Sequence, residues 1–132
     1  MSSIESASAG IPVSAMVTLA SPDFEPLVAF YRQLLCRSPR SYAPQRYAEF
    51  ALPGIVLAIF NPQVDQAEIF AGPAGGMSLC LEVKDLEAAI ALLTQLGCAP
   101  PGPILNASHG REIYALDPAG NRLIIHQANP SD

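Results

Sequence analysis

Residues 16–35, Met-Val-Thr-Leu-Ala-Ser-Pro-Asp-Phe-Glu-Pro-Leu-Val-Ala-Phe-Tyr-Arg-Gln-Leu-Leu, align without a gap on residues 78–97, Ser-Leu-Cys-Leu-Glu-Val-Lys-Asp-Leu-Glu-Ala-Ala-Ile-Ala-Leu-Leu-Thr-Gln-Leu-Gly. Asp23 falls on Asp85, Glu25 on Glu87 and Val28 on Ile90. Each copy reads as a strand, an acidic helix start and a helix, so the unit of construction is about half the chain. A duplicated half-domain tends to hold its site between the copies.

Working outward, Val13 to Ala20 is rich in Val, Leu and Thr and ends at Ser21-Pro22-Asp23, a strand running into a helix start. Asp23 can cap the first turn or favour the positive end of the helix dipole, and Pro26 is early enough to be tolerated. Phe24, Leu27, Val28, Tyr31, Leu34 and Leu35 recur at intervals of three and four, giving one apolar face. Leu86, Ala89, Ile90, Leu93 and Leu96 repeat the pattern up to Gly97, which suits a helix end. Arg46 to Leu52 and Ile55 to Phe60 flank the turn dipeptide Pro53-Gly54 and predict a hairpin, with a weaker strand near Arg40 to Ala43. The second half follows suit, with strands near Ile104 to Asn106, Arg111 to Leu116 and Arg122 to Gln127, the last two separated by Asp117-Pro118-Ala119-Gly120-Asn121. Both halves therefore read β-α-β-β-β, an α+β fold. The expected organisation is a flexible lead over 1–11 and one domain over 12–128, made of modules 12–62 and 76–128 joined by a linker at 63–75. Within that linker Ile69 and Phe70 either cover a pocket or pack as ordinary apolar side chains.

Composition limits the function. A chain of 132 residues, half of them apolar, fits one domain with a sizeable core. Its net charge of −5, from 12 acids against 7 bases without a basic cluster, makes nucleic acid a poor partner. No apolar run approaches the roughly 18 residues of a membrane span. Residues 1–10 lack the basic and apolar regions of a signal peptide. Cys36, Cys80 and Cys98, an odd and widely spaced set, read as reduced thiols in a cytoplasmic protein.

The strand-Asp-helix openings, the Phe30-Tyr31 pair and the closing Asp117-Pro118-Ala119-Gly120-Asn121 together resemble the vicinal oxygen chelate superfamily, the glyoxalase, bleomycin-resistance and extradiol dioxygenase proteins. The resemblance runs from Val13 to Gln127 and implies paired modules whose curved mixed sheets enclose a cavity. It leaves the chemistry open, because one fold hosts metal enzymes and metal-free binding proteins alike. In metal-dependent members, the first and last strands of each module supply the ligands. The resemblance places those four positions at Met16, Ala58, Ser78 and Ile124. A thioether, a neutral hydroxyl and two hydrocarbon side chains make no such site, so no metal and no cofactor is expected there.

Strand alternation tells what the cavity presents instead. If Met16 points inward, so do Thr18 and Ala20, Val56, Ala58 and Phe60, Ser78, Cys80 and Glu82, and Arg122, Ile124 and His126. The opposite faces, with Leu57, Ile59, Leu79, Leu81, Leu123 and Ile125, are aliphatic, as helix-covered faces should be. Glu82 and Arg122 could form a pair that orients a ligand, or an ion pair at the rim. His126 could be a general base or a half-exposed strand end, and His109, beside Gly110, either reaches the cavity mouth or is solvated. Glu49 faces inward only in one register. Cys80, with no base beside it in sequence, reads as a buried inert thiol rather than a nucleophile. Met16, Tyr47 and Phe60 could wall an apolar ligand or fill the cavity. Asp117 and Asn121 have sufficient reason in the turn itself.

The first expectation is a metal-free protein that binds a small, partly apolar molecule between Met16, Thr18, Ala58, Phe60, Ser78, Glu82, Arg122, Ile124 and His126. As family members commonly pair two chains, a homodimer is expected. The alternative is a lyase or dioxygenase-like enzyme that uses Glu49, Glu82, His109 or His126 for a displaced metal or for acid/base catalysis. A third reading has the cavity filled by side chains.

Overall fold

The computed structural model describes residues 10, 12–72 and 75–130. Of the expected lead only Gly10 lies among them. The first module runs β1 (Val17–Ala20), α1 (Phe24–Leu34), β2 (Ser41–Ala43), β3 (Tyr47–Leu52) and β4 (Ile55–Phe60). After a 3-10 helix at Val64–Phe70, the second repeats it as β5 (Leu79–Glu82), α2 (Leu86–Gln95), β6 (Leu105–Ala107), β7 (Gly110–Leu116) and β8 (Arg122–Ala128). The two four-stranded sheets have matching orders, β1-β4-β3-β2 and β5-β8-β7-β6, with the first strand parallel to the last and the others antiparallel. This is the expected pair of mixed-sheet modules.

Two local expectations change. The first strand is half as long as its sequence suggests, because only Val17 to Ala20 find partners, Leu57 to Phe60 on β4. Val13 is fully exposed. The duplicated acids at the helix starts also part ways: Asp85 accepts the Ala88 N–H at 3.0 Å, whereas Asp23 makes no capping bond. Instead the Ser21 hydroxyl accepts the Asp23 N–H at 3.1 Å. Pro26 sits in the first turn of α1, where a missing N–H breaks no helical bond.

The hairpin β3–β4 closes on Pro53-Gly54, with Leu52 opposite Ile55 and Gly54 at φ 84°, a conformation that favours glycine. That register puts Ala48, Phe50, Leu57 and Ile59 on the helix side, where all are buried. In the second module Ile113, Ala115, Leu123 and Ile125 do the same. With Phe24, Leu27, Val28 and Tyr31 of α1 and Leu86 and Leu93 of α2 they make one core shared by both modules. Each fully buried Leu, Ile or Phe in it contributes about 1.5–3 kcal/mol.

The halves are also joined by a buried polar contact. The Tyr31 hydroxyl of α1 donates to Asp117 Oδ2 in the β7–β8 turn at 2.6 Å. Asp117 Oδ1 accepts the N–H groups of Ala119 and Asn121, and Oδ2 also accepts the Asn121 side-chain amide. Burial, with the Asp117 carboxylate next in weight, pushes the Tyr31 phenol far above its ordinary value, so it is a neutral donor. The aromatic pair and the closing turn, two separate marks in the sequence, are the two ends of one hydrogen bond.

Candidate functional site

The faces turned away from the helices carry the candidate residues, and the registers divide them into two groups. Parallel pairing of β5 with β8 sets Cys80 opposite Ile124 and Glu82 opposite His126, while Ser78 lies at the far end beside Arg122. Four residues of strand, about 13 Å, separate the two ends.

At the Ser78 end is a cleft of about 260 Å³ between β1, the start of β5 and the 3-10 helix. Val17–Ala20, Met77–Leu79, Asn121 and Arg122 line it, with Ile69–Gly72 along its other side. Arg122 Nε donates to Ser78 Oγ at 2.9 Å, and Nη2 donates to the carbonyls of Gly75 and Met77. The expected Glu82–Arg122 pair is absent: Arg122 forms no ion pair among the described residues, and Glu82 is engaged elsewhere. No turn joins β5 to β8, so the sequence could not fix the offset that parts them. Phe70 packs edge-on against Phe60 with ring centroids 5.0 Å apart, while Ile69 is largely exposed rather than packed.

The four positions at which the family resemblance puts metal ligands do not fit a metal. Ala58, buried between Thr18 and Glu49, and Ile124 carry no donor atom. Met16 is half exposed, and the Ser78 hydroxyl faces the Arg122 guanidinium, whose charge repels a cation. Glu49 does lie on the open face, opposite Ala58, but is clasped by the Tyr47 hydroxyl and Arg40 Nε. Those two bonds, Tyr47 first, hold its carboxyl below its usual range. The Tyr47 phenol is raised by the same contact.

At the other end His126 Nδ1 stands 2.6 Å from Glu82 Oε1, and Glu82 Oε2 accepts the Ala128 N–H at 2.9 Å. His126 Nε2 faces His109 Nδ1 at 2.8 Å. Glu112 of β7 is directly opposite His126 and completes the group. Sequence reading named both histidines and Glu82 but missed Glu112. The signal was present, since pairing Leu116 with Arg122 across the closing turn sets Glu112 against His126. Cys80 is exposed on this face, not buried as expected, because nothing among the described residues covers the middle of the sheet. Partial burial, then Glu112 and Glu82, raise its thiol, which keeps it protonated and a poor nucleophile.

Of the expected binding residues, then, Thr18, Ser78 and Arg122 line the cleft. Glu82 and His126 form the second group, Ile124 stands between them, and Met16, Ala58 and Phe60 are not in the cleft wall.

Among known proteins, the model of the glyoxalase/bleomycin resistance protein/dioxygenase superfamily matches residues 14–125. No curated protein matches the chain. Among solved structures, a glyoxalase-related enzyme from Fulvimarina pelagi is 24% identical with a TM-score of 0.72, over 91% of this chain and 90% of that one. The fosfomycin resistance protein FosX from Listeria monocytogenes is 15% identical with a TM-score of 0.71, over 92% and 97%. Lactoylglutathione lyase from Agrobacterium tumefaciens is 18% identical with a TM-score of 0.65, over 88% and 94%. At these identities the likeness is one of fold.

Proposed function

Because the chain belongs to the glyoxalase/bleomycin resistance protein/dioxygenase superfamily, and its cleft has the shape of a ligand site without the donors of a metal site, we propose that it binds a small, partly apolar molecule there without a metal ion at the four family positions. The observation that carries this reading is Arg122, a cation in the cleft wall with no carboxylate partner among the described residues. It sits among Val17, Leu19, Phe70 and Leu79, so the complementary ligand has an apolar body and one anionic group. The cleft is slightly smaller than the roughly 300 Å³ at which drug-sized sites begin, which favours a compact ligand.

The same reading pairs the chain with a second copy. Leu105, Tyr114 and Leu116, each substantially exposed, lie on the uncovered side of the second sheet, the side a partner would cover. Three free thiols fit a reducing, cytoplasmic setting. No helix among the described residues is long and apolar enough to cross a membrane.

Small aromatic and aliphatic carboxylates, with their neutral amides as controls, provide the test by ligand-observed NMR. Wild type is expected to bind carboxylates better than amides, and Arg122→Ala to weaken the carboxylates about tenfold or more while leaving the amides little changed. Equal behaviour of acids and amides, or no binding of either by wild type, contradicts the reading.

A further inference from the structure

The second group of residues has a geometry that the cleft does not use. Three neighbouring strands, β5, β8 and β7, place Glu82, His126 and Glu112 in one row across the open face. The turn into β7 then brings His109 over that row, its ring tilted 34° to His126 with centroids 4.9 Å apart. Gly110 makes this approach possible: at φ 147°, a Cβ on it would fall 2.2 Å from the Gln127 carbonyl oxygen. Only glycine lets the chain pass so close to β8 and deliver the preceding histidine.

We propose that His109, Glu112 and His126 form a site for one divalent transition-metal ion, with Glu82 as the outer partner that orients His126. A ligand atom from each of the three lies within 4.8 Å of the others. The hydrogen-bond chain also sets the donors correctly. A carboxylate can only accept, so His126 Nδ1 donates its N–H to Glu82, and in the neutral ring Nε2 carries the lone pair, which faces His109. The Glu82 carboxylate is itself fixed by the Ala128 N–H, which makes the orientation a property of the sheet rather than of one side chain. Without metal, the 2.8 Å contact between the imidazoles holds one proton, which lies on His109 Nδ1 when His126 is neutral. A metal ion takes its place as the proton passes through solvent to Nε2 of the exposed His109 ring, which stays neutral. Bonds of about 2.0–2.1 Å to each nitrogen require the two to stand roughly 3.3 Å apart in a tetrahedral site, an opening of about half an ångström. His109 is exposed on a turn and can supply it.

Two imidazoles and a carboxylate suit zinc, nickel or copper better than magnesium or calcium, which prefer all-oxygen shells. Three protein ligands leave a fourth position for water or a ligand oxygen. The site is displaced from the family positions: His126 is two residues beyond Ile124, and Glu82 four beyond Ser78, so it does not depend on the cleft reading.

The test is calorimetric titration of untagged, chelator-stripped protein with zinc chloride, with cobalt absorption as a second readout. Wild type is expected to bind one ion per chain and to give visible tetrahedral cobalt bands. His109→Ala, on an exposed turn where folding is not at stake, is expected to lose binding, as is His126→Ala; Glu82→Gln should weaken it about ten- to a hundred-fold. Met16→Ala and Ser78→Ala should leave it unchanged. The proposal is overturned if wild type takes up no zinc, which would leave the imidazoles as a proton relay only, if His109→Ala binds as wild type does, or if the Met16 and Ser78 variants lose the ion.

Discussion

Glu25 and Glu87 hold matching places in the two copies, and each reaches from the first turn of its helix to the sheet. Glu25 accepts the Tyr42 hydroxyl and the Gln45 N–H, at 2.6 and 2.7 Å. Glu87 instead takes both arms of Arg111, at 2.6 and 2.9 Å, and Arg111 also bonds Gln127, whose side-chain oxygen accepts the Leu86 N–H. The guanidinium bonds, helped by the helix-start backbone, hold the Glu87 carboxyl down to about 2. Its folded value lies below the unfolded value of about 4.3, so its contribution is complete above that pH and is lost as pH falls toward 2. Thermal melts across that range should therefore drop more steeply for wild type than for Glu87→Gln; parallel slopes would show that Arg111 does not favour the ionised form. The Glu87 side chain is largely exposed, so the effect is modest.

At the scale of elements, β7 carries Glu112 and starts next to His109, and its first residue is the constraint. Gly110→Ala must either push its Cβ into the Gln127 carbonyl or pull β7 away from β8. We expect the variant to lower the melting temperature and, through the shift of His109, to weaken zinc binding. A variant with wild-type stability and zinc affinity would show that the approach is not tight. This level was only partly legible in the sequence. Alternation within β4 and β8 assigned Leu57, Ile59, Leu123 and Ile125 to the core because each strand has one covered face. Pro53-Gly54 and the five-residue closing turn located the β3–β4 and β7–β8 hairpins, while the register that turns Glu49 to the open face came from the structure. The parallel offsets of β1 on β4 and β5 on β8 have no turn to set them and pass through α1 and α2. Hence the length of β1 and the parting of Glu82 from Arg122 emerged only in three dimensions. Glu112 was accessible by counting back from the closing turn.

The whole molecule is held by a core that takes side chains from both modules and by the bond from Tyr31 to Asp117 across them. Tyr31→Phe removes one of two donors to Asp117 Oδ2 and leaves only the Asn121 amide. The cost expected is about 1–3 kcal/mol, read as a lower urea midpoint in a single transition. Two separate transitions, or an unchanged midpoint, would mean that the modules do not share their stability. The bond also bears on descent from a symmetric ancestor. Tyr31 corresponds to Leu93 in the second copy, and the five-residue turn that holds Asp117 corresponds to Pro53-Gly54 in the first. Two copies of the first half would bring two phenols and no carboxylate, and two of the second would bring the reverse. The repeats have become complementary, like a plug and its socket, and neither half alone supplies both ends of this bond.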